Sequence, residues 1–411
     1  MSTTTYSTKN SQTLAIHGST PVRQTPMPAR QAIGIHEKHM IDKVYEWYRN
    51  QNMDAGYQGY FEEWYCHQIV NRMGGGYADA VATGTAALYV ALLALNLPKK
   101  SEVLVSPITD PGTLSAIILS GLRPKLVDSK PDHYNTDFLR VTSRIDQKTS
   151  CALIVHAAGQ AVSDIEKIVT HCHQQNIVVL EDCSQAHGAA VNGKLVGTFG
   201  DIAAFSTMYR KASVTGPTGG FVYTQNKSYY EQALAHADRG KPRWKENFDD
   251  RDPSQFLFPA LNLHANEFSC AIGIASWERL PETIQRRQYF IANLHQHLIT
   301  ESTVCRGLPP THFDSPFYYP IFIDLNRICC SKIEFSKAIL AEGIGLNPHY
   351  RYVVEDWPWL TPYLVDNFTC TFARNARDRS FCLYINEHYG QQELIDVMSA
   401  IIKVENYFLK K

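Results

Sequence analysis

Short apolar runs alternate with helix-forming stretches through the middle of this chain, and that alternation limits the fold more than any other feature. "SEVLVSP", "RPKLVDS", "CALIVHAAG" and "IVVLED" read as strands. Between them, "ATGTAALYVALLALNL" reads as a loop and then a helix, and "PGTLSAIILSG" as a helix closed by Gly121. "SDIEKIVTHCHQQN" reads as a helix with Ser163 or Asp164 as its N-cap. Strands separated by helices predict an α/β fold with a mostly parallel sheet and helices on both faces. The strands are near-continuously apolar, as strands covered on both faces are. Ligands of such sheets gather at the carboxyl ends of the strands.

One strand ends in an unusual way. "VVLEDCSQAHGA", Val178 to Ala189, runs from apolar residues straight into Glu181 and Asp182. A buried carboxylate without a partner is costly, so a cation is expected to meet it.

Composition removes several function classes. The chain has 411 residues, 44% hydrophobic, with a formal net charge of −1. That excludes a disordered chain and gives no basic excess for a nucleic-acid partner. No apolar run of signal-peptide length opens the sequence, and "ALYVALLALNL" is too short to span a bilayer. A cytoplasmic protein that needs no membrane is expected. The ten cysteines include no CxxC. His171 and His173 flank a helical face of Ile165, Ile168, Val169 and Cys172 and lack the i,i+4 spacing of helical ligand pairs. No metal is expected there, and the cysteines read as core thiols of a reducing compartment.

The chain divides into an N-terminal arm (1–25), a large domain (26–285) and a smaller C-terminal α/β domain (286–411). The arm is expected to be loose. From about Ser276 a long helix, "SWERLPETIQRRQYFIANLHQHL", leads into the smaller domain. There "FYYPIFIDL" reads as a strand, and "SKIEFSKAILAEG" and "GQQELIDVMSAIIKVENYFLKK" as helices.

Two further features belong with Asp182. "TGTAAL" (Thr83 to Leu88) puts a glycine and small residues at a helix start, where backbone N–H groups and the helix dipole suit a phosphate. Alone, the signal is weak, and a tight helix entry, which looks the same, is the better reading. "GDIAAFSTMYRKASVTGPTGGFVYT" places Ser206 five residues before Lys211, with Gly219 and Gly220 following. Alone, Lys211 reads as a surface lysine beside Arg210. A phosphate cradle, a carboxylate at a strand end and a loop lysine together are the parts that hold pyridoxal 5′-phosphate. The lysine forms a Schiff base with the aldehyde, and the carboxylate keeps the pyridine nitrogen protonated, so that the ring accepts electrons.

On these motifs the chain resembles the DegT–StrS group of fold-type I PLP-dependent enzymes, the aminotransferases of nucleotide sugars and aminocyclitols. "AIHGSTPVR", "GYFEEWYCHQIVNRMGGGYADAVATGTAAL", "IVHAAGQAVSDIEKI", "VVLEDCSQAHGA", "GDIAAFSTMYRKASVTGPTGG" and "LNLHANEFSCAIGIASWERLPETIQRR" carry the resemblance almost end to end. It implies that Lys211 holds the cofactor and shuttles the proton, and that Asp182 pairs with the pyridine nitrogen. It implies that Gln185 contacts the 3′-oxygen side of the ring. Gly84, Thr85 and Ala86 would offer backbone groups to the phosphate, and Ser206 its hydroxyl. Asn262 would reach the phosphate of the other subunit, which implies a homodimer with shared active sites. His187 would pack behind the ring.

Three departures mark a divergent member. Asp110 stands where an aromatic residue usually stacks on the cofactor, and is carried over as a cofactor-site residue. His264 stands where an arginine is common, which puts glutamate as donor in doubt. "RKASVTGPTGG" lacks the acidic residue usual in that loop. The resemblance implies transfer of an amino group from an amino acid donor to a keto sugar, keto-cyclitol or related ketone. The alternative is a PLP-dependent lyase, dehydratase or cyclase on the same fold. A regulator without catalysis is disfavoured by the intact Lys211 and Asp182.

Overall fold

The computed structural model describes residues 13–349 and 352–410. Its central sheet has strands β1 (Tyr77–Val81), β2 (Glu102–Val105), β3 (Arg123–Leu126), β4 (Thr149–Val155) and β5 (Val178–Asp182). A small hairpin, β6 (Ala190–Val191) and β7 (Lys194–Leu195), stands apart, and β8 (Ile202–Ser206) and β9 (Gly220–Thr224) complete the sheet. The order is β1-β9-β8-β5-β4-β2-β3. From β8 to β3 every pairing is parallel, and β9 runs antiparallel to both β8 and β1.

Strand alternation distributes the core. Leu153 and Val155 of β4 pack with helices α3 (Gly84–Ala94) and α4 (Pro111–Leu119), whereas Ala152 and Ile154 face the other side of the sheet. That side is covered partly by α5 (Phe138–Thr142) and α6 (Ile165–Gln174). Ile165, Ile168, Val169 and Cys172 of α6 form its buried face, as their spacing predicts. Asp164 takes the N-cap position of α6, but its carboxylate accepts the N–H of Phe138 at 3.3 Å and so serves α5 instead. His173 pairs with Asp201 at 3.0 Å.

Near β1, β8 and β9 the cover consists of α1 (Ile35–Asn50), α2 (Tyr60–Met73) and α8 (Glu267–Glu301), while α7 (Lys227–Ala237) packs with α3. Helix α8 starts nine residues before the expected Ser276. Asn266 caps it by accepting the N–H of Ser269 at 2.9 Å. Its first turns carry the small residues Ser269, Cys270, Ala271, Gly273 and Ala275, and a Cβ on Gly273 would come within 2.8 Å of Tyr65 and Thr215. Pro281 sits inside this helix and cannot bond the carbonyl of Trp277. Arg72 Nη2 donates to that oxygen at 3.1 Å instead. Glu267 caps α2 from a distance, accepting the N–H groups of Phe61 and Glu62, each at 3.0 Å.

The second sheet holds β10 (Cys305–Gly307), β11 (Tyr318–Ile323), β12 (Leu346–Asn347) and β13 (Ser380–Tyr384), in the order β10-β11-β13-β12, all antiparallel. It packs on α9 (Lys332–Ala341) and α11 (Gln391–Phe408), while the short α10 (Thr371–Asp378) lies against the core of the first sheet. The expected boundary at residue 285 falls inside α8. Trp277 and Leu280 of that helix lie in the first core, and Phe290, Ile291, Leu294 and Leu298 in the second.

The expectation of a loose arm does not hold for residues 13–25; residues 1–12 lie outside the described residues. Leu14 is fully buried in the second core. Glu342 accepts the N–H groups of Ala15 and Val22 at 2.9 and 3.0 Å, and Arg23 bridges Asp396 and Glu393 at 2.7 and 3.1 Å. A segment with that many satisfied partners is ordered by the body it lies on. Among the described residues no helix is long and apolar enough to cross a membrane.

Candidate active site

A cavity of about 660 Å³ opens at the carboxyl ends of β4, β5 and β8, against the N-termini of α3 and α4. Gly84, Thr85, Asp110, Asp182, Gln185, Ser206 and Lys211 all line it. Residues that the sequence spreads over more than a hundred positions therefore share one wall.

The two carboxylates of the strand end separate by alternation. Glu181 points into the sheet's far side, fully buried, where it accepts the N–H groups of Gly197 (2.9 Å), Phe199 (2.8 Å) and Gly200 (2.7 Å) and meets His156 Nε2 at 3.0 Å. Asp182 faces the cavity and is only 3% exposed. Its oxygens accept the N–H of Ser184 at 3.1 Å and the hydroxyl of Thr113 at 3.0 Å. Among the described residues no basic side chain lies within ion-pair distance of Asp182, so the cation it calls for has to come from a ligand.

Helix α3 begins at the cavity. As its first residues, Gly84 and Thr85 have N–H groups without an intrahelical acceptor. A Cβ on Gly84 would lie 2.4 Å from the Cβ of Ser206, so only glycine lets the helix start and that hydroxyl share one corner. The helix dipole and the Ser206 hydroxyl make this corner fit a phosphate. Ala86 does not join it. Its N–H is taken by Thr83 Oγ1 at 2.9 Å, and it is absent from the cavity wall.

Lys211 stands opposite in a loop built around buried polar groups. The N–H of Ser213 is accepted by His187 Nδ1 at 3.3 Å, and that of Val214 by Ser276 Oγ at 2.9 Å. The Lys211 ammonium lies 4.5 Å from the centre of the Phe317 ring. Burial lowers its pKa from the ordinary lysine value, while the charges of Asp182 and Asp110 oppose the shift. An amine shifted in that direction is a better nucleophile near neutrality. His187 is 1% exposed and packs beside Phe205 and Trp277. Burial, with the Lys211 charge adding to it, pushes its pKa down to about 3. It is a neutral packing residue at ordinary pH, behind the cavity wall.

Gln185 Oε1 accepts the N–H of Ala158 at 2.8 Å, which fixes its amide at the cavity edge. Asp110 lines the cavity but works as the N-cap of α4, its Oδ1 accepting the N–H of Gly112 at 2.9 Å. Pro111 at the first helical position completes that cap. The sequence signal for this was "DPGT", which places a cap residue before a proline.

Asn262 lies off this cavity, on the exposed loop before α8, where its Oδ1 meets the N–H of His264 at 3.4 Å. The His264 side chain is 2% exposed, stacks on Tyr57 with ring centres 4.7 Å apart, and has Nε2 3.3 Å from Asp238. It therefore anchors its own loop and offers no contact to a ligand in this chain's cavity. Sequence reasoning missed Thr113, Arg30 and Phe317, and also Asn347, Tyr384 and Asn386 from the second sheet and its edges. Only Thr113 had a local signal, its place in the first turn of α4.

Comparison with known proteins agrees with this geometry. The chain is 34% identical over 212 residues to the GDP-perosamine synthase of Escherichia coli O157:H7, a match covering 52% of this chain and 56% of that protein. It is 27% identical over 413 residues to a putative L-glutamine:3-amino-2,3-dideoxy-scyllo-inosose aminotransferase of Micromonospora echinospora, covering 96% and 94%. Among solved structures, the aminotransferase TlmJ of Streptoalloteichus hindustanus superposes with a TM-score of 0.79 at 20% identity, over 90% of this chain and 96% of that one. The E. coli GDP-4-keto-6-deoxy-D-mannose-3-dehydratase with bound hydrated PLP gives 0.82 at 21% identity, over 92% and 98%. The likeness to these structures shows the shared fold, type I of the PLP-dependent enzymes. Residues 36–402 match the DegT/DnrJ/EryC1/StrS aminotransferase family, and the chain belongs to that family of PLP-dependent aminotransferases.

Proposed function

We propose that this enzyme moves an amino group from an amino acid donor to a keto sugar or keto-cyclitol, with Lys211 as the cofactor-holding and proton-moving residue. One observation carries the assignment of roles: among the described residues, a buried carboxylate without a protein cation, Asp182, and a half-buried lysine without a protein anion in contact, Lys211, face one cavity that also receives the N-terminus of α3. Gly84, Thr85 and Ser206 would hold the cofactor phosphate, Asp182 the ring nitrogen, and Gln185 the ring's oxygen edge. When bound, pyridoxal phosphate supplies an electron sink for the bond broken at the donor's α-carbon. Lys211 Nζ would take up the proton released from the donor's α-carbon and pass it on, a task suited to an amine whose pKa burial has lowered. Asp182 would meet the ring nitrogen, its carboxylate held in orientation by Thr113 and Ser184.

The acceptor class rests on the relatives, whose names place amino groups on nucleotide-linked sugars and on an inosose. Asn262 is assigned to the partner's phosphate site, so the working unit is a homodimer. The test has three parts. Borohydride reduction followed by peptide mass spectrometry should place the cofactor on Lys211, and Lys211→Ala should carry none. Donor amino acids added to the loaded enzyme should bleach the visible band and release the keto acid; a band that persists with every donor would overturn transamination. Mixing Lys211→Ala with Asn262→Ala chains should restore activity in one site of each heterodimer, and no recovery after confirmed subunit exchange would remove the shared site.

A further inference from the structure

Arg30 lies in the segment before α1, 181 positions from Lys211 in sequence, yet its guanidinium is spent on the lysine loop. Nη1 donates to the carbonyl of Tyr209 at 3.2 Å and to that of Lys211 itself, and Nη2 donates to the carbonyl of Ala212 at 2.8 Å. Nε donates to Glu387 Oε1 at 3.0 Å. The other oxygen of Glu387 accepts Arg287 Nη2 at 2.7 Å and Nε at 3.1 Å. Arg287 Nη1 in turn donates to the carbonyl of Pro316 at 3.1 Å, the residue before Phe317, over whose ring the Lys211 ammonium sits. The chain Arg30–Glu387–Arg287 thus holds the lysine's backbone at one end and the floor under its amine at the other. The Arg30 segment is itself seated by the residues flanking Glu387. Asn386 Nδ2 donates to the Pro28 carbonyl at 2.8 Å, and His388 Nε2 meets the Arg30 carbonyl at 2.9 Å.

Stability alone does not ask for this arrangement. A buried arginine, Arg287, and a half-buried one, Arg30, share one carboxylate, which leaves a net positive charge in a largely desolvated place, and hydrophobic replacements of such groups are commonly neutral or stabilising. A planar guanidinium is the one side chain that meets three carbonyls and a carboxylate together. The neighbouring residues Ile385, Asn386 and Tyr389 line the cavity, so Glu387 stands within a stretch of the cavity wall.

We infer that Arg30 is a positioning residue for Lys211: with Glu387 and Arg287 it fixes where the lysine amine stands, and it ties that amine to the C-terminal stretch 385–389 of the cavity wall. The inference rests on the assignment of Lys211 to the cofactor.

The test uses the full chain loaded with pyridoxal phosphate, following the visible absorbance of the lysine–cofactor linkage against pH and the fraction of cofactor fixed on Lys211 by borohydride. Arg30→Ala removes a positive charge bonded to the lysine's own carbonyl and opens the loop to water, so the titration midpoint should rise. The fixed fraction should fall several-fold. Glu387→Gln leaves both arginines uncompensated and should move the midpoint the other way. Arg30→Lys restores the charge without the fork, so it should bring the midpoint back toward wild type while the fixed fraction stays low. Arg30→Ala and Glu387→Gln variants that lose thermal stability but titrate like wild type would overturn the inference, as would shifts of the same sign in the two. A wild-type enzyme with no linkage at Lys211 would instead overturn the cofactor assignment.

Discussion

Thr113 Oγ1 donates to Asp182 Oδ2 at 3.0 Å, and its own oxygen lies 2.7 Å from Thr109 Oγ1. Since Thr113 spends its proton on the carboxylate, Thr109 donates to Thr113, and the two hydroxyls form a relay aimed at Asp182. All three side chains are buried. Thr113→Val keeps the shape and removes the bond. A hydrogen bond to a charged group contributes roughly 1.5–3 kcal/mol, so turnover is expected to fall by about ten- to a hundredfold if that bond strengthens in the reaction. Steady-state kcat with unchanged cofactor occupancy checks this, and an unchanged kcat would confine Thr113 to a packing role.

Asp182→Asn replaces the carboxylate by an isosteric amide. The cofactor should still bind, because the phosphate corner at Gly84, Thr85 and Ser206 is untouched. Turnover should drop by about a hundredfold or more, the size of a lost preorganised charge interaction. The donor half-reaction, measured in a single turnover, isolates this step from product release.

Asp110 separates into two roles that two variants can split. As the cap of α4 it accepts the Gly112 N–H, and Asp110→Ala should cost about 1 kcal/mol, read as a lower melting temperature. Asn caps as well as Asp, so Asp110→Asn should leave stability within a few tenths of a kcal/mol. Its charge nevertheless raises the Lys211 pKa against the larger effect of burial. Removing that charge should move the lysine's titration further down. A downward shift of the pH profile in Asp110→Asn with an unchanged melting temperature is the expected pair of results, and cofactor loss in that variant would mean that Asp110 binds the cofactor directly.

Acid should unfold the protein earlier than its carboxylates alone would. Burial holds His187 and His133 at about 3, against an ordinary 6.5. In that window the unfolded chain binds protons that the folded chain refuses. Stability is therefore intact above about pH 6.5 and is lost as pH falls, by about 1.4 kcal/mol per pH unit for each such group. Glu387 acts only lower down: burial would raise its pKa, but Arg287 and Arg30 hold it at about 2, so its contribution is lost between 4.5 and about 2. Chemical denaturation from neutral pH down to about 5 should show the histidine slope. His133→Asn keeps a polar acceptor beside the Asn135 N–H and should flatten it.

The site residues legible in the sequence are those whose chemistry is local. Asp182 ends a strand of apolar residues, Lys211 follows Ser206 at a fixed distance, and Gly84 and Thr85 open a helix; backbone geometry alone brings the ends of parallel strands to one side of the sheet. The cap at Asp110 was written in "DPGT" as well, although the resemblance drew attention to stacking instead. What only the tertiary structure decided depends on contacts between distant residues. Nothing near Ala86 announces that its N–H goes to Thr83, and nothing near Leu14 shows the core that orders the first described residues. The early start of α8 depends on small residues that read as neutral until α2 lies against them. Arg30, Glu387 and Arg287 each look like ordinary surface charges in sequence. Their partners are main-chain carbonyls and one another, across hundreds of residues, and a side chain's bond to a distant carbonyl leaves no pattern in the sequence around it.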